Sequence, residues 1–125
     1  MGIAKGFEGK VEIVEITFLE EFKRQAKAFN KKYKSFSDDF ESLLNSIKDN
    51  PFQGTSLGEG VYKVRMKITS KGKGKRGGAI VLTWTVTQQG DNITVTLLAI
   101  YDKSEYSNVS DRYIKSLVKE AVSQL

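Results

Sequence analysis

The chain has no histidine, no cysteine and a single proline among its 125 residues. Each of the first two absences excludes a body of chemistry. Without histidine there is no Ser-His-Asp or Cys-His triad, no HExxH zinc site and no paired-histidine ribonuclease mechanism. Without cysteine there is no disulfide framework and no thiolate zinc site, a usage that fits a reducing, cytoplasmic setting. The N-terminal MGIAKGFEGK lacks a long apolar run, so neither a signal peptide nor a membrane span is expected. The sequons at Asn92 and Asn108 then carry little meaning, because glycosylation needs a secretory route. No metal and no cofactor is expected. Any reaction must rest on Lys, Arg, Tyr, Asp, Glu or Ser.

What is present is positive charge, and it is local. The net charge is +5, while residues 61–80, VYKVRMKITSKGKGKRGGAI, carry seven basic residues and no acidic one, which leaves −2 for the rest of the chain. Four glycines fall within residues 72–78 of this stretch. A basic stretch of this kind points to a polyanion: nucleic acid or an acidic protein. Length and a hydrophobic content of 39% are those of one folded domain spanning residues 1–125, with residues 1–9 read as a flexible extension.

Hydrophobic periodicity predicts the elements. Residues 10–16 alternate as a first strand. Phe18, Phe22, Ala26 and Phe29 form a helical stripe, broken at 31–34. Ser37 with Asp38 and Asp39 reads as the cap of a second helix carrying Phe40, Leu43, Leu44 and Ile47, ended by Asn50 and Pro51. The glycines of FQGTSLGEG match no phosphate-loop pattern and read as turn chemistry. In residues 61–68, Tyr62, Val64, Met66 and Ile68 take one face and Lys63, Arg65 and Lys67 the other. A flexible glycine-rich tip at 69–78 leads to strands at 79–87 and 93–101, and Tyr62 and Trp84 read as core. Ser110 caps a last helix, with Val109 and Ile114 as a hydrophobic staple. The expected order is β-α-α-β-β-β-α: an α+β domain with a mainly antiparallel four-stranded sheet, its first strand at an edge, an N-terminal helical hairpin and a C-terminal helix.

This order, together with NPFQGTSLGEGVYKVRMKITSKGKGKRGGA and LLAIYDKSEYSNVSD, resembles the RelE/ParE superfamily of type II toxin–antitoxin toxins. It is most similar to the branch with a loop close to KGKGKSGGARV followed by IYDKSE. The resemblance runs from about Val11 through the C-terminal helix and implies a RelE-like fold. RelE-branch members are small basic ribonucleases, many of which cut messenger RNA in the ribosomal A site and are neutralised by a cognate antitoxin. ParE members share the fold but poison DNA gyrase. The implied partners are therefore an antitoxin, messenger RNA and the ribosome, with operator DNA reached only through the antitoxin and no membrane.

The resemblance implies a metal-independent endoribonuclease, in which a 2′-hydroxyl attacks the adjacent phosphate. Such a reaction needs a base, cations around the phosphorane and a proton donor for the leaving oxygen. Lys63 and Arg65 match the family's two basic strand positions, and Lys103 matches a basic residue at the end of the last strand. A base made from Lys63 would need its proton affinity lowered by Arg65 and Lys67 beside it. Tyr106 or Glu105 would donate the proton, and Lys67, Lys71, Lys73, Lys75 and Arg76 would hold the RNA backbone. One position departs from the pattern: Ile80 stands where the family's GGARV has an arginine on the scissile phosphate. Three readings follow: an attenuated toxin, replacement of the missing cation by Arg76, or a member that cleaves no RNA. The non-enzymatic alternatives are a ParE-like gyrase inhibitor, an antitoxin-bound co-repressor and a general nucleic-acid-binding domain.

Overall fold

A computed structural model of the protein describes residues 13–74 and 78–125. The expected N-terminal extension and the first three residues of the expected first strand, 10–12, lie outside that range, as do Lys75 and Arg76, and so does the side chain of Lys73. The elements in order are β1 (Val14–Phe18), α1 (Glu20–Lys32), α2 (Phe36–Asp49), β2 (Thr55–Gly58), β3 (Val61–Met66), a 3-10 turn (Thr69–Gly74), β4 (Ala79–Thr87), β5 (Ile93–Asp102), a second 3-10 turn (Lys103–Asn108) and α3 (Asp111–Ser123). The fold is α+β, as expected, but the sheet has five strands in the order β1-β5-β4-β3-β2.

The additional strand is β2. Its residues TSLG lie inside the stretch expected to be turn alone, and they pair antiparallel with β3. All four are exposed, so this strand has no buried face and no apolar alternation to reveal it. The turn chemistry was real but shorter: Glu59 and Gly60 both take positive φ, 51° and 83°, as a two-residue hairpin turn requires. β1 sits at the opposite edge, as expected, and pairs parallel with β5 from Val14 with Ile93 to Phe18 with Leu97.

Both faces of the sheet are covered. One packs on α1 and α2 through Val64, Met66, Val81, Val95 and Leu97 from the strands and Phe22, Phe36, Leu43 and Ile47 from the helices. Phe18 ends β1 rather than opening the helix, and its ring still stacks on Phe22 at 5.8 Å; Phe36 stacks on Phe40 at 5.5 Å. The other face packs on α3 through Ile80, Leu82, Leu98 and Ala99 against Ile114, Leu117 and Ala121. Tyr62 packs on the first cluster and Trp84 on the second, both as expected. Burial on two sides explains why β4 and β5 are nearly continuous β-branched and apolar runs.

Two helix starts differ in their caps. Ser110 accepts a hydrogen bond from the Tyr113 N–H at 3.1 Å and caps α3 as expected, and Val109 and Ile114 join the same cluster. The cap of α2 is Ser35, two residues before the expected Ser37. Ser35 donates to Asp39 at 2.7 Å and accepts from the Ser70 N–H at 2.8 Å. The helix start is thus tied to a distant turn, which the local sequence does not show. No helix among the described residues is long and apolar enough to cross a membrane.

Candidate nucleic-acid interface

β3 holds the two basic residues singled out by the sequence, and its outward face grades from closed to open. Val61 is buried beneath α3, Lys63 is half-buried and Arg65 is exposed. Alternation sends Val64 and Met66 into the opposite cluster. The main chain of β3 is seated on glycine. At Gly54 (φ 103°) a Cβ would stand 2.6 Å from the Lys63 carbonyl oxygen, and at Gly78 (φ 111°) 2.9 Å from that of Met66. Any other residue at either place would push the strand away.

Register builds the rest of the face. Arg65 lies opposite Ile80, and Ile80 opposite Tyr101, so the three form one row across β3, β4 and β5. With strands about 4.8 Å apart, Arg65 and Tyr101 are about 10 Å apart across that row. Lys63, Leu82 and Ala99 form the next row. The turn Lys103–Asn108 brings Tyr106 to Lys63, whose ammonium lies 5.0 Å from the ring centroid. The ring face attracts a cation, an arrangement suited to holding positive charge at this point. Burial, with smaller contributions from Asp111 and Tyr101, raises the Tyr106 phenol above its ordinary value, so it keeps its proton at neutral pH.

The structure therefore gathers Lys63, Arg65 and Tyr106, but not the whole expected set. Lys103 is half-buried and its N–H donates to the Gly78 carbonyl at 3.0 Å, which fastens the end of β5 to the start of β4. Glu105 is exposed and lines a groove against α1. Lys67 follows the end of β3, and its charge contributes to holding the Asp39 carboxyl low. Partial burial opposes that ionisation, but hydrogen bonds from Ser35 and Thr69 outweigh it.

Lys71 is engaged inside the protein. It pairs with Asp102 at 3.1 Å and lies 5.4 Å from the Tyr33 ring centroid. Partial burial would raise the Asp102 carboxyl, yet the Ser104 N–H and hydroxyl together with Lys71 bring it down to about 2. The glycine-rich stretch is consequently not loose at its start: Thr69–Gly74 is a 3-10 turn, and Thr69 donates through N–H and hydroxyl to Asp39 at 2.9 and 2.7 Å.

Ile80 is 3% exposed and belongs to the core beneath α3. The position therefore presents no cation, and packed side chains fill the space around it. Beside it is a polar cluster that sequence reasoning missed. The Tyr113 hydroxyl donates to Glu21, which also accepts from Arg24 at 2.6 Å, while the Gln25 side chain accepts the Ile100 N–H at 2.9 Å. Burial, then the bond to Glu21 and the nearby Tyr101, raises the Tyr113 phenol; the bonds from Tyr113 and Arg24 lower Glu21. These groups close the edge of β5 where β1 stops at Leu97, and no local pattern marks pairs 92 residues apart.

Among the described residues no group of three or more acidic side chains could hold a metal ion. The arrangement offers two cations, a protonated phenol and an exposed strand face, which suit an anionic phosphodiester. No family model matches this chain.

Proposed function

We propose that this protein is the toxin of a type II toxin–antitoxin system, similar to the RelE branch, and that it inhibits translation by cutting messenger RNA on the ribosome without a metal. The observation that supports this reading best is the convergence of Lys63, Arg65 and Tyr106 on the open end of one sheet face. Arg65 and Lys63 would bind the phosphate oxygens, Arg65 through its planar fork. Water takes the proton of the 2′-hydroxyl as its oxygen attacks phosphorus, the bond to the 5′-oxygen breaks, and Tyr106 protonates that oxygen and regains its proton from water. The products are a 2′,3′-cyclic phosphate and a 5′-hydroxyl. With Ile80 in place of a cation, one phosphorane contact is missing, and removal of such a contact costs about 3–4 kcal/mol of transition-state stabilisation. The proposed enzyme is accordingly slow. A cognate antitoxin with an acidic amphipathic segment would neutralise the basic face.

Translation in a reconstituted system, with the cut ends of the messenger mapped, tests the reading. The natural chain should give slow cleavage with cyclic-phosphate ends, and Tyr106→Phe should reduce the rate about a hundredfold. Absence of cleavage from both the natural chain and a folded Ile80→Arg variant would overturn it.

The burial of Ile80 favours a second reading, a non-enzymatic toxin homologue that inhibits gyrase or acts as an antitoxin-bound co-repressor. A supercoiling assay separates the gyrase form, which fails if saturating protein leaves gyrase unaffected.

A further inference from the structure

Residues 23–34, KRQAKAFNKKYK, contain six cations and no acid. Lys23, Arg24, Lys27, Lys31, Lys32 and Lys34 are all exposed, while Phe22 is buried and Ala26 and Phe29 pack on the core behind them. Lys23, Lys27 and Lys31 recur every fourth residue, so they form one crest with charges about 6 Å apart along the axis. Glu20 and Glu21 pair with Lys23 and Arg24. Lys27, Lys31 and Lys34 have no acidic partner among the described residues. Like charges four apart destabilise a helix slightly. Lys31 and Lys32 gain something from the helix C-terminus, but Lys27 in mid-helix has no such compensation. The crest is therefore not explained by the stability of α1.

Its position adds a second observation. Arg24 and Lys32 stand two turns apart on one bank of a groove of about 480 Å3, with the small Ala28 between them. The opposite bank includes Tyr101, the residue that ends the row from Arg65 across the sheet. Two acids line this groove. Asp102 is matched by Lys71, and Glu105 is exposed. From Arg65 the surface thus runs across Ile80 and Tyr101 to this groove, whose helix bank carries Arg24 and Lys32, one residue around α1 from the crest. Basic residues that track a backbone beside rings that accept bases are the means by which single strands are held.

We propose that the outer face of α1, with Lys34 just beyond its C-terminus, is a second phosphate-binding surface, which holds the single-stranded RNA flanking the phosphate engaged at Lys63 and Arg65. The inference rests on the RNA reading above, and it assigns Lys27, Lys31 and Lys34 to backbone contacts outside the reacting centre.

Fluorescence anisotropy with a trinucleotide and with an RNA of about fifteen nucleotides, over a series of salt concentrations, tests it. The variant Lys27→Ala/Lys31→Ala/Lys34→Ala should bind the long RNA about tenfold more weakly. Its slope of log affinity against log salt should fall by about 2, the loss expected for three single-strand phosphate contacts. Binding of the trinucleotide and the circular dichroism spectrum should not change. If the triple variant keeps the affinity and slope for long RNA while Lys63→Ala/Arg65→Ala loses both, the second surface is refuted and the RNA reading stands. If the natural chain binds neither RNA in a salt-dependent way, the RNA reading itself fails. Tighter binding of duplex DNA, lost in the triple variant, would assign the crest to DNA and overturn the proposal.

Discussion

The two faces of the sheet are both covered, but unequally. Against α1 and α2 the cover is continuous, with Phe22 and Ile47 each 1% exposed and Val81, Val95 and Leu97 fully buried. Against α3 it is complete only at one end of β3, over Val61, and has gone by Arg65. The difference lies in the number of helices: two side by side shield a whole sheet face, whereas one leaves a margin. Cations can stand on a sheet only in such a margin, because a charge beneath a helix loses its water without gaining a partner. The candidate site lies where the shield ends.

Five substitutions would break or sharpen that contrast. Phe22→Ala, on the continuously covered face, should have the largest effect, about 4 kcal/mol of unfolding free energy in urea titration. Ile80→Arg should cost about 3 kcal/mol, since a charge replaces a buried aliphatic group but lies beside the margin, where its stem can reach water. A loss as large as that of Phe22→Ala would mean the margin does not extend to Ile80. Asp102→Asn should lose about 1–2 kcal/mol at pH 7. The Asp102 carboxyl ionises at about 2 in the folded protein, below its ordinary 3.8. Its contribution is complete above the ordinary value and fades as pH falls through 2, so the natural and variant stabilities should converge in acid. Tyr113→Phe, which unties α3 from α1 around the sheet edge, should cost about 1 kcal/mol by thermal unfolding. Arg65→Ala should change stability by less than about 0.5 kcal/mol while weakening RNA binding in a salt-dependent assay.

What the sequence made legible follows the physics of each element. The helices carry wide apolar stripes, and β4 and β5 are buried on both sides, so periodicity and β-branching found them. β2 escaped because an edge strand exposed at all four residues has no pattern to read. The cap of α2 was misplaced because Ser35 and Ser37 are locally alike, and only the distant partner Ser70 distinguishes them. For the site, alternation placed Lys63 and Arg65 on one face, whereas Tyr106 was named only through the resemblance, and its approach to Lys63 depends on how the turn after β5 folds back. The engagement of Lys71 by Asp102 and the burial of Ile80 depend on which elements pack over them. The crest of α1 was hidden in the −2 of the chain outside residues 61–80, where acidic residues elsewhere cancel the six cations of residues 23–34.

The glycine seats under β3 have a consequence for how such a protein can change. Because the chain at Gly54 and Gly78 lies closer to the Lys63 and Met66 carbonyls than a Cβ would allow, this part of the frame depends on main-chain approach and not on the side chains of the open face. Substitutions on the open face can alter reactivity without moving the scaffold, and the scaffold can persist after a reactive group is gone. Ile80, packed beneath α3, lies outside that freedom, whereas Arg65 stands on the open face, where one side chain can be exchanged while everything that recognises the shape of the surface still finds it.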